Sequence, residues 1–284
     1  MSQATLRRVD EKVPDLLEVL LRKRESQTSK SWEETLSARK RAELEFHDDH
    51  REIVEDGGQA GDADGNKKYY ATSTGSDAYL YDWVAERAKG KVFLDYACGN
   101  GSFAIHAAKS GAKMAIGIDI SSATIENAIR RAAAEGDCED TGLPAESVDL
   151  LMCCGMLHHL DLSHAFPEIR RILKPGGSCL ACEALDYNPV IKLYRMMTPA
   201  LRTEWEKHHI LSLKDVRFAQ RFFDVKNVRY WHLFSIMATP FRNTSIFKQA
   251  LRLGTALDSV ALRVFPLSLM AWMFTFELHK RADK

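Results

Sequence analysis

Two carboxylates enclose a turn of small residues. Asp95 is followed at every second position by Ala97, Gly99 and Gly101, and Asp119 ends the next apolar run. Small residues open a turn to close approach by a ligand, and the free N–H groups of a following helix point at that ligand. A carboxylate after the second strand of such a unit can accept two hydrogen bonds from a ribose diol. The pattern therefore indicates a nucleoside site with Asp119 as the ribose acceptor.

The charge in this turn selects among nucleoside ligands. The spacing is Asp-x-Ala-x-Gly-x-Gly, which differs from the Gly-x-Gly-x-x-Gly of dinucleotide folds. Asp95 repels a pyrophosphate and attracts a cationic amino-acid tail. The sign of the charge thus favours S-adenosylmethionine over NAD.

With these motifs the chain resembles the class I S-adenosylmethionine-dependent methyltransferases, in the small-molecule branch called type 11. The resemblance is strong over residues 69–185 and looser elsewhere. Ala97 departs from it, because most members have glycine there. The resemblance implies that Asp137 reaches the adenine amino group and that the backbone of Cys138 faces the ring. The full set of cofactor contacts that it implies is Tyr70, Asp95, Ala97, Gly99, Gly101, Asp119, Ile120, Asp137, Cys138, Cys154 and Met156.

Two adjacent histidines are the best catalytic candidates. His158 and His159 follow the fourth strand, at the strand end where ligands collect in such sheets. A neutral histidine can take a proton from a hydroxyl as a methyl group moves. Neighbouring residues entering a helix point in different directions, so we expect one of them, His158, to face the pocket; the alternative is that both only pack the turn. Glu183 ends the fifth strand at the same edge, where it binds substrate, orients a histidine or is structural.

The end of the fourth strand also disfavours two subclasses. It reads Cys154-Gly-Met-Leu-His158-His159. Methyltransferases of nucleic-acid base amines resemble one another in having Asn/Asp-Pro-Pro-aromatic there, and magnesium-dependent catechol-type enzymes have a carboxylate. We therefore predict no metal. His47 and His50, three residues apart, suggest a metal site, but a solvated polar helix face is the preferred interpretation.

The elements that position these residues form a Rossmann-like fold. We predict an α/β, doubly wound, mostly parallel sheet with an antiparallel last strand, N-terminal helices and a helical lid. Val92 to Leu94 is a continuous apolar run, as a parallel strand covered on both faces requires. Ser102 is the expected cap of the next helix, and Gly111 is its C′ residue. A helix over Ser121 to Glu135 leads directly to Asp137, so the third, edge strand is shortened or missing.

Three regions follow from this pattern. Residues 1–68 form an N-terminal helical extension and flexible loop, residues 69–185 the cofactor-binding core, and residues 186–284 the substrate and lid insertions with the last two strands. Tyr70, with its neighbour Tyr69, either covers the cofactor or packs the N-terminal helices onto the core.

Substrate choice is expected to reside after the fifth strand. In the family an insertion there lies over the pocket, which implies substrate contacts from Tyr187, Tyr194 and Arg195. Residues 235–270 are largely apolar with helical periodicity. They form an apolar substrate lid, a dimer face or a membrane-surface contact, and a lid or core packing is the preferred interpretation.

Composition limits the partners. Lys plus Arg and Asp plus Glu both number 39, so the 284-residue chain has no net field to hold a nucleic acid. The six cysteines lie in predicted core or binding segments and indicate reduced thiols in a cytoplasmic protein. Cys179 and Cys182 fall on opposite faces of a strand and cannot share a ligand. No apolar run is long enough to span a bilayer.

The leading hypothesis is a methyl transfer from S-adenosylmethionine to a small organic acceptor, leaving S-adenosylhomocysteine. O-methylation with a histidine base is preferred over N- or C-methylation. A cyclase or decarboxylase that keeps the cofactor site, and a non-catalytic binding module, are the alternatives. The sequence does not determine whether the protein is a dimer.

Overall fold

The structure is a computed structural model that describes positions 16, 18–20 and 22 and residues 34–50, 67–120, 133–135 and 137–281. Most of residues 1–33 and all of residues 51–66 in the predicted N-terminal extension and loop, together with most of the helix predicted after Ser121, lie outside the described residues.

One sheet carries all of the strands that the structure describes. Its order is β3-β2-β1-β4-β5-β7-β6, with β7 antiparallel to both of its neighbours and the remaining pairs parallel. The strands are β1 (Val92–Tyr96), β2 (Met114–Asp119), β3 (Ala133–Glu135), β4 (Val148–Cys154), β5 (Leu173–Ala184), β6 (Asp224–Trp231) and β7 (Met273–His279). This arrangement confirms the predicted Rossmann-like sheet with an antiparallel last strand.

The helices lie on both faces of the sheet. They are α1 (Ala38–His50), α2 (Lys67–Tyr70), α3 (Thr74–Arg87), α4 (Ser102–Lys109), α5 (Leu162–Ile172), α6 (Pro189–Met197), α7 (Glu206–His209), α8 (Leu213–Ala219) and α9 (Phe247–Ala261). Short 3₁₀ segments cover Leu157–His159, Pro199–Leu201, Ser235–Phe241 and Leu267–Met270.

The apolar residues of β1 divide between two cores, because successive side chains point to opposite faces of a strand. Val92, Leu94 and Tyr96 pack in the core that includes α5 and α8, while Phe93 packs in the core that includes α3 and α4. All five residues of β1 are buried. A strand covered on both faces needs the continuous apolar run that the sequence shows.

The sheet bears on the positions of the cysteines and on the length of the edge strand. Cys179 and Cys182 lie in opposite cores, as their odd separation predicted, and all six cysteines are free thiols. The third strand exists as a three-residue pairing with β2, which fits the shortened alternative. The predicted helix through Glu135 is wrong at its end, because Ala133–Glu135 is extended.

The start of α4 also differs from expectation. Its N-cap is Gly101, in the left-handed region at φ 71°, and Ser102 is already the first helical residue. The role expected of Ser102 falls instead to Asp95, whose Oδ2 accepts a hydrogen bond from the N–H of Ala104 at 3.0 Å. Gly111 has φ 85° just beyond the C-cap Ser110, as predicted for a C′ residue.

The apolar segment before β7 is held against the rest of the chain at two points. Asp258 of α9 accepts hydrogen bonds from the N–H groups of Phe234, at 2.6 Å, and Ser235, at 3.2 Å. A Cβ added at Gly254 would lie 2.7 Å from the Cα of Ser235. The absence of a side chain at Gly254 therefore allows α9 to pack directly on the backbone of the Ser235–Phe241 segment.

We expect Gly254→Ala to lower the free energy of unfolding by up to about 2 kcal/mol, because overpacking costs up to about 3 kcal/mol and alanine's better helix propensity returns about 1 kcal/mol. Urea unfolding measures the change. The matched control is Thr255→Ala at the neighbouring exposed position of α9, which should leave stability unchanged or slightly higher. Equal stability of the two variants would contradict the close-packing explanation.

Candidate active site

The turn after β1 has a backbone open to a ligand. Ala97, Gly99 and Gly101 have φ values of 60°, 49° and 71°, so every second residue is in the left-handed region. Ala97 is the costly member, since a residue with a Cβ loses about 1–2 kcal/mol in that conformation. The turn keeps a shape that glycine favours even where alanine has replaced it.

The two carboxylates of the motif lie on either side of this turn. Asp119 is 3% exposed, and its Oδ2 accepts a hydrogen bond from the N–H of Gly99 at 2.8 Å. Asp95 is also 3% exposed and contacts the start of α4 through Ala104. The motif residues therefore meet at the carboxyl ends of β1 and β2, where a ribose and an amino-acid tail fit the donor and acceptor set.

Asp95 has an unusual proton affinity for a carboxylate. Burial raises the pKa of Asp95 to about 7 from an ordinary 3.8, helped by the charge of Asp119 and opposed by backbone N–H donors of α4. The carboxylate is therefore near its titration midpoint at neutral pH. A cation bound beside it would favour the ionised form.

The residues expected to surround the adenine come from different segments of the chain. Ile120, Asp137, Cys138 and Met156 line one small cavity of about 20 Å³, and Cys138 is buried. Asp137, expected to reach the adenine amino group, instead forms an ion pair with Lys40 of α1. An adenine contact by Asp137 would have to compete with this ion pair.

Helix α1 closes this end, which the sequence did not reveal. Arg39 donates to the carbonyl of His159 at 2.7 Å and pairs with Glu139. Leu36 and Leu44 pack against Ile120 in an apolar cluster of their own. Helix α1 therefore contributes a wall to the small cavity.

Glu43 fastens α1 to two distant segments. Its Oε2 accepts from His159 Nδ1 at 2.9 Å, and its Oε1 accepts from the Thr203 hydroxyl at 2.6 Å. Burial alone would raise the pKa of Glu43, but hydrogen bonding and the charge of His159 lower it below the ordinary value. The preferred interpretation of this helix face as solvated is therefore wrong for Glu43, which is 4% exposed.

Glu183 fixes the turn after β4. It is fully buried, and its Oε1 accepts from the N–H groups of Met156 at 2.9 Å and Leu157 at 2.7 Å. Its Oε2 lies 2.6 Å from Nδ1 of His158. An ionised carboxylate only accepts hydrogen bonds, so Nδ1 carries the proton and Nε2 is left as the basic nitrogen.

His158 and His159 point to different places, as adjacent residues entering a helix were expected to do. His158 lines the large cavity described next, and His159 lines the small cavity under α1. Burial lowers the pKa of His158, but the charge and hydrogen bond of Glu183 together outweigh it, so this pKa is raised above its ordinary 6.5. His158 is therefore a base of increased strength.

A cavity of about 680 Å³ lies beyond the carboxyl ends of β4 and β5. His158 follows β4, Ala184 is the last residue of β5, and Trp272 precedes β7. The apolar and aromatic part of the wall consists of Tyr69, Tyr70, Val190, Ile191, Tyr194, Ile210, Leu233, Phe234, Ile236, Met237, Pro240 and Trp272. A molecule of this volume with an apolar body fits the wall.

The same cavity carries an excess of positive charge. Its ionic lining residues are Lys68, Arg195, Arg202, Arg242 and Glu206. Burial lowers the pKa of Arg195 to about 10, so it remains cationic at neutral pH, where it lies 3.6 Å from Asp186. Four cations against one carboxylate in the wall favour an anionic ligand group.

The structure brings some of the predicted substrate and cofactor residues to the large cavity and leaves others outside it. Tyr194 and Arg195 line the large cavity, but Tyr187 does not: its hydroxyl accepts from the N–H of Leu213 at 3.1 Å and braces α8. Tyr70 lines the cavity beside Trp272, with ring centroids 5.5 Å apart. Cys154 ends β4 opposite Cys182 of β5.

Among the residues that the structure describes, two groups of side chains have the composition of metal ligands. They are Glu43 with His47 and His159, and His158 with His159 and Glu206, each with ligand atoms within 4.8 Å. Glu43 and His159 are already at hydrogen-bonding distance. The absence of a metal therefore stays a prediction.

Asp119 is expected to control nucleoside affinity. We expect Asp119→Ala to weaken binding of S-adenosylhomocysteine by at least about tenfold, or about 1.4 kcal/mol, because the ribose acceptor and the brace on Gly99 are both lost. Calorimetry measures the affinity, and Asp82→Ala at an exposed position of α3 is the control. Unchanged affinity of a folded Asp119→Ala variant would remove the ribose assignment.

Asp95 makes this affinity depend on pH. Its pKa of about 7 means that it ionises as the pH rises through neutrality, so we expect affinity for S-adenosylhomocysteine to increase by up to about tenfold from about pH 6 to about pH 8. Methylthioadenosine, which lacks the amino-acid tail, should show no such rise, and Asp95→Asn should abolish it. A rise that persists in Asp95→Asn would contradict this role.

Known protein families share the motif-bearing part of the chain. Residues 94–181 match the model of a family described as a methyltransferase domain. Over 99 residues, 31% of the chain, it is 33% identical to the 27-O-demethylrifamycin SV methyltransferase of Amycolatopsis mediterranei. Over 107 residues, 34% of the chain, it is 35% identical to the ribosomal protein L11 methyltransferase of Vibrio cholerae. The matches span 36% and 35% of the lengths of these relatives.

Solved structures share the fold. The geranyl diphosphate C-methyltransferase of Streptomyces coelicolor, in complex with Mg²⁺, geranyl diphosphate and S-adenosyl-L-homocysteine, has a TM-score of 0.57 at 12% identity, covering 87% of this chain and all of that one. A SAM-dependent methyltransferase from Archaeoglobus fulgidus has a TM-score of 0.53 at 14% identity, covering 76% and 97%. The methyltransferase-domain match over residues 94–181 and this shared fold together support a class I S-adenosylmethionine-dependent methyltransferase.

Proposed function

We propose that the protein methylates a hydroxyl of a small, largely apolar molecule that carries an anionic group. The observation that carries this proposal is the pair His158 and Glu183, which presents a strengthened base to a largely apolar cavity. The cavity and the nucleoside turn lie at the same edge of the sheet, beyond the carboxyl ends of neighbouring parallel strands.

The chain's own residues have two tasks in such a transfer. S-adenosylmethionine, when bound, supplies an already activated methyl group on a sulfonium. Nε2 of His158 takes the hydroxyl proton while the acceptor oxygen bonds to the methyl carbon and the carbon–sulfur bond breaks, giving a methyl ether, S-adenosylhomocysteine and a protonated histidine. Tyr70 and Trp272 help to exclude water from the reacting groups, and the cavity wall aligns the acceptor.

The wall of the cavity supports the choice of acceptor. Its aliphatic and aromatic residues match an apolar body, and Arg195, Arg202 and Arg242 match a carboxylate, sulfate or phosphate. The similar proteins are named for acceptors as different as a rifamycin, a ribosomal protein and geranyl diphosphate. The acceptor class is therefore inferred from this cavity and not from them.

The test of the proposed activity follows a labelled methyl group. The purified protein is mixed with methyl-labelled S-adenosylmethionine and a small-molecule cell extract. We expect label in a low-mass product that an anion-exchange resin retains at neutral pH, because a carboxylate, sulfate or phosphate is ionised there. Cofactor binding without transfer of label would favour the binding-module or cyclase alternatives, and a labelled product that the resin does not retain would contradict the anionic group.

The labelled product then allows the base to be tested. The turnover number should rise with pH through the pKa of His158, above the ordinary 6.5, because only the neutral ring accepts a proton. Glu183→Gln should move this midpoint to lower pH, since burial then acts on the ring without a compensating charge.

Substitution of the histidine itself completes this prediction. His158→Ala should slow turnover by about 10²–10⁴-fold with little change in affinity for S-adenosylhomocysteine. His159→Ala, the neighbouring control, should leave the pH midpoint in place. Full activity of His158→Ala would remove it as the base.

A further inference from the structure

Helix α9 presents an apolar stripe to solvent. Leu253, Leu257, Val260 and Val264 are separated by four, three and four residues and are 65%, 47%, 68% and 51% exposed. This spacing places all four on one side of a helix, and the N–H of Val264 still bonds to the carbonyl of Ala261 in the turn that continues α9. Ile246, seven residues before Leu253, extends the stripe and is 51% exposed.

A row of cations runs along one flank of the stripe. Lys248, Arg252 and Arg263 are separated by four and eleven residues, which is close to one and three helical turns. All three are exposed. Between residues 241 and 271 the sequence contains a single carboxylate, Asp258, and it is buried with its oxygens bonded to the backbone N–H groups of Phe234 and Ser235.

The stripe is continuous with the opening of the large cavity. Met237 lies in the Ser235–Phe241 segment on which α9 packs; it lines the cavity and is 66% exposed. Val190 of α6 also lines the cavity and is 73% exposed. The apolar surface thus extends from the cavity mouth onto α9.

We propose that this surface, formed by α9 and the cavity mouth, docks the protein on an anionic lipid bilayer. A helix with an apolar side and a basic flank lies in the interface plane of such a bilayer, with the apolar residues among the acyl chains and the cations at the headgroups. Within the described part of the chain, no helix has both the length and the apolar character needed to cross a membrane, so the contact is peripheral.

The charges beside the apolar stripe favour a lipid bilayer over a second copy of the chain as the partner of this surface. In a two-fold contact the same surface patch appears on both partners. The patch offers the cation row no accessible carboxylate, because Asp258 is buried. A surface of anionic headgroups supplies the opposite charge along the whole row, and it also borders the cavity mouth through which an apolar acceptor would enter.

The test is sedimentation of the full chain with vesicles. We expect binding to vesicles of phosphatidylcholine mixed with phosphatidylglycerol, much weaker binding to phosphatidylcholine alone, and weakening by added salt. The combined change Lys248→Gln, Arg252→Gln and Arg263→Gln should reduce binding on the order of 100-fold, since each cation near an anionic surface contributes severalfold. Leu253→Ser with Leu257→Ser should reduce binding at least tenfold, without a change in fold by circular dichroism.

The matched control removes three exposed cations at the opposite, amino-terminal edge of the strands. Lys89→Gln, Lys109→Gln and Lys113→Gln change the net charge equally and should leave vesicle binding within about threefold. Failure to bind anionic vesicles, or an equal loss in this control, overturns the proposal. So does a dimer in sedimentation velocity that the Leu253→Ser and Leu257→Ser variant converts to monomer. None of these outcomes depends on methyl transfer.

Discussion

The site depends on the burial of one carboxylate, Glu183, at the end of the central strand β5. A buried charge is stable only when its acceptor capacity is filled. Two backbone N–H groups of the turn after β4 and one histidine nitrogen fill it here. The same three contacts set the path of the chain after β4, the orientation of His158 and the strength of that base, so the geometry of the site and its chemistry have one physical origin.

Helix α1 near the N-terminus also carries a buried glutamate that holds a histidine, on the side of the small cavity. Glu43 joins α1 to His159 and Thr203, and Lys40 pairs with Asp137. The two adjacent histidines are thus each held by a glutamate from a different part of the chain. One histidine, His158, faces the large cavity, and the other, His159, lines the small cavity under α1.

Local patterns predicted the parts of the fold that short stretches of chain determine. The run Val92 to Leu94, the turn with Gly99 and Gly101, and the separate directions of His158 and His159 follow from periodicity and residue size. The sequence predicts that Ser102 caps the start of α4. In the structure Asp95 from the preceding strand provides that cap, because a carboxylate buried beside a helix start competes with the adjacent hydroxyl. Glu43 and His159 are 116 residues apart, and only the packing of α1 over the sheet edge brings them together.

The contact between Gly254 and the backbone of Ser235 has a consequence for how the protein behaves in solution. With Asp258 bonded to the same short segment, α9 is fixed at two positions about one turn apart and cannot roll about its own axis. A helix that was free to rotate about its axis would bury its apolar side whenever no partner was present. Helix α9 cannot do so, and its apolar side therefore stays exposed to water in dilute buffer. The cations beside it repel the same cations on other copies of the protein, which opposes aggregation.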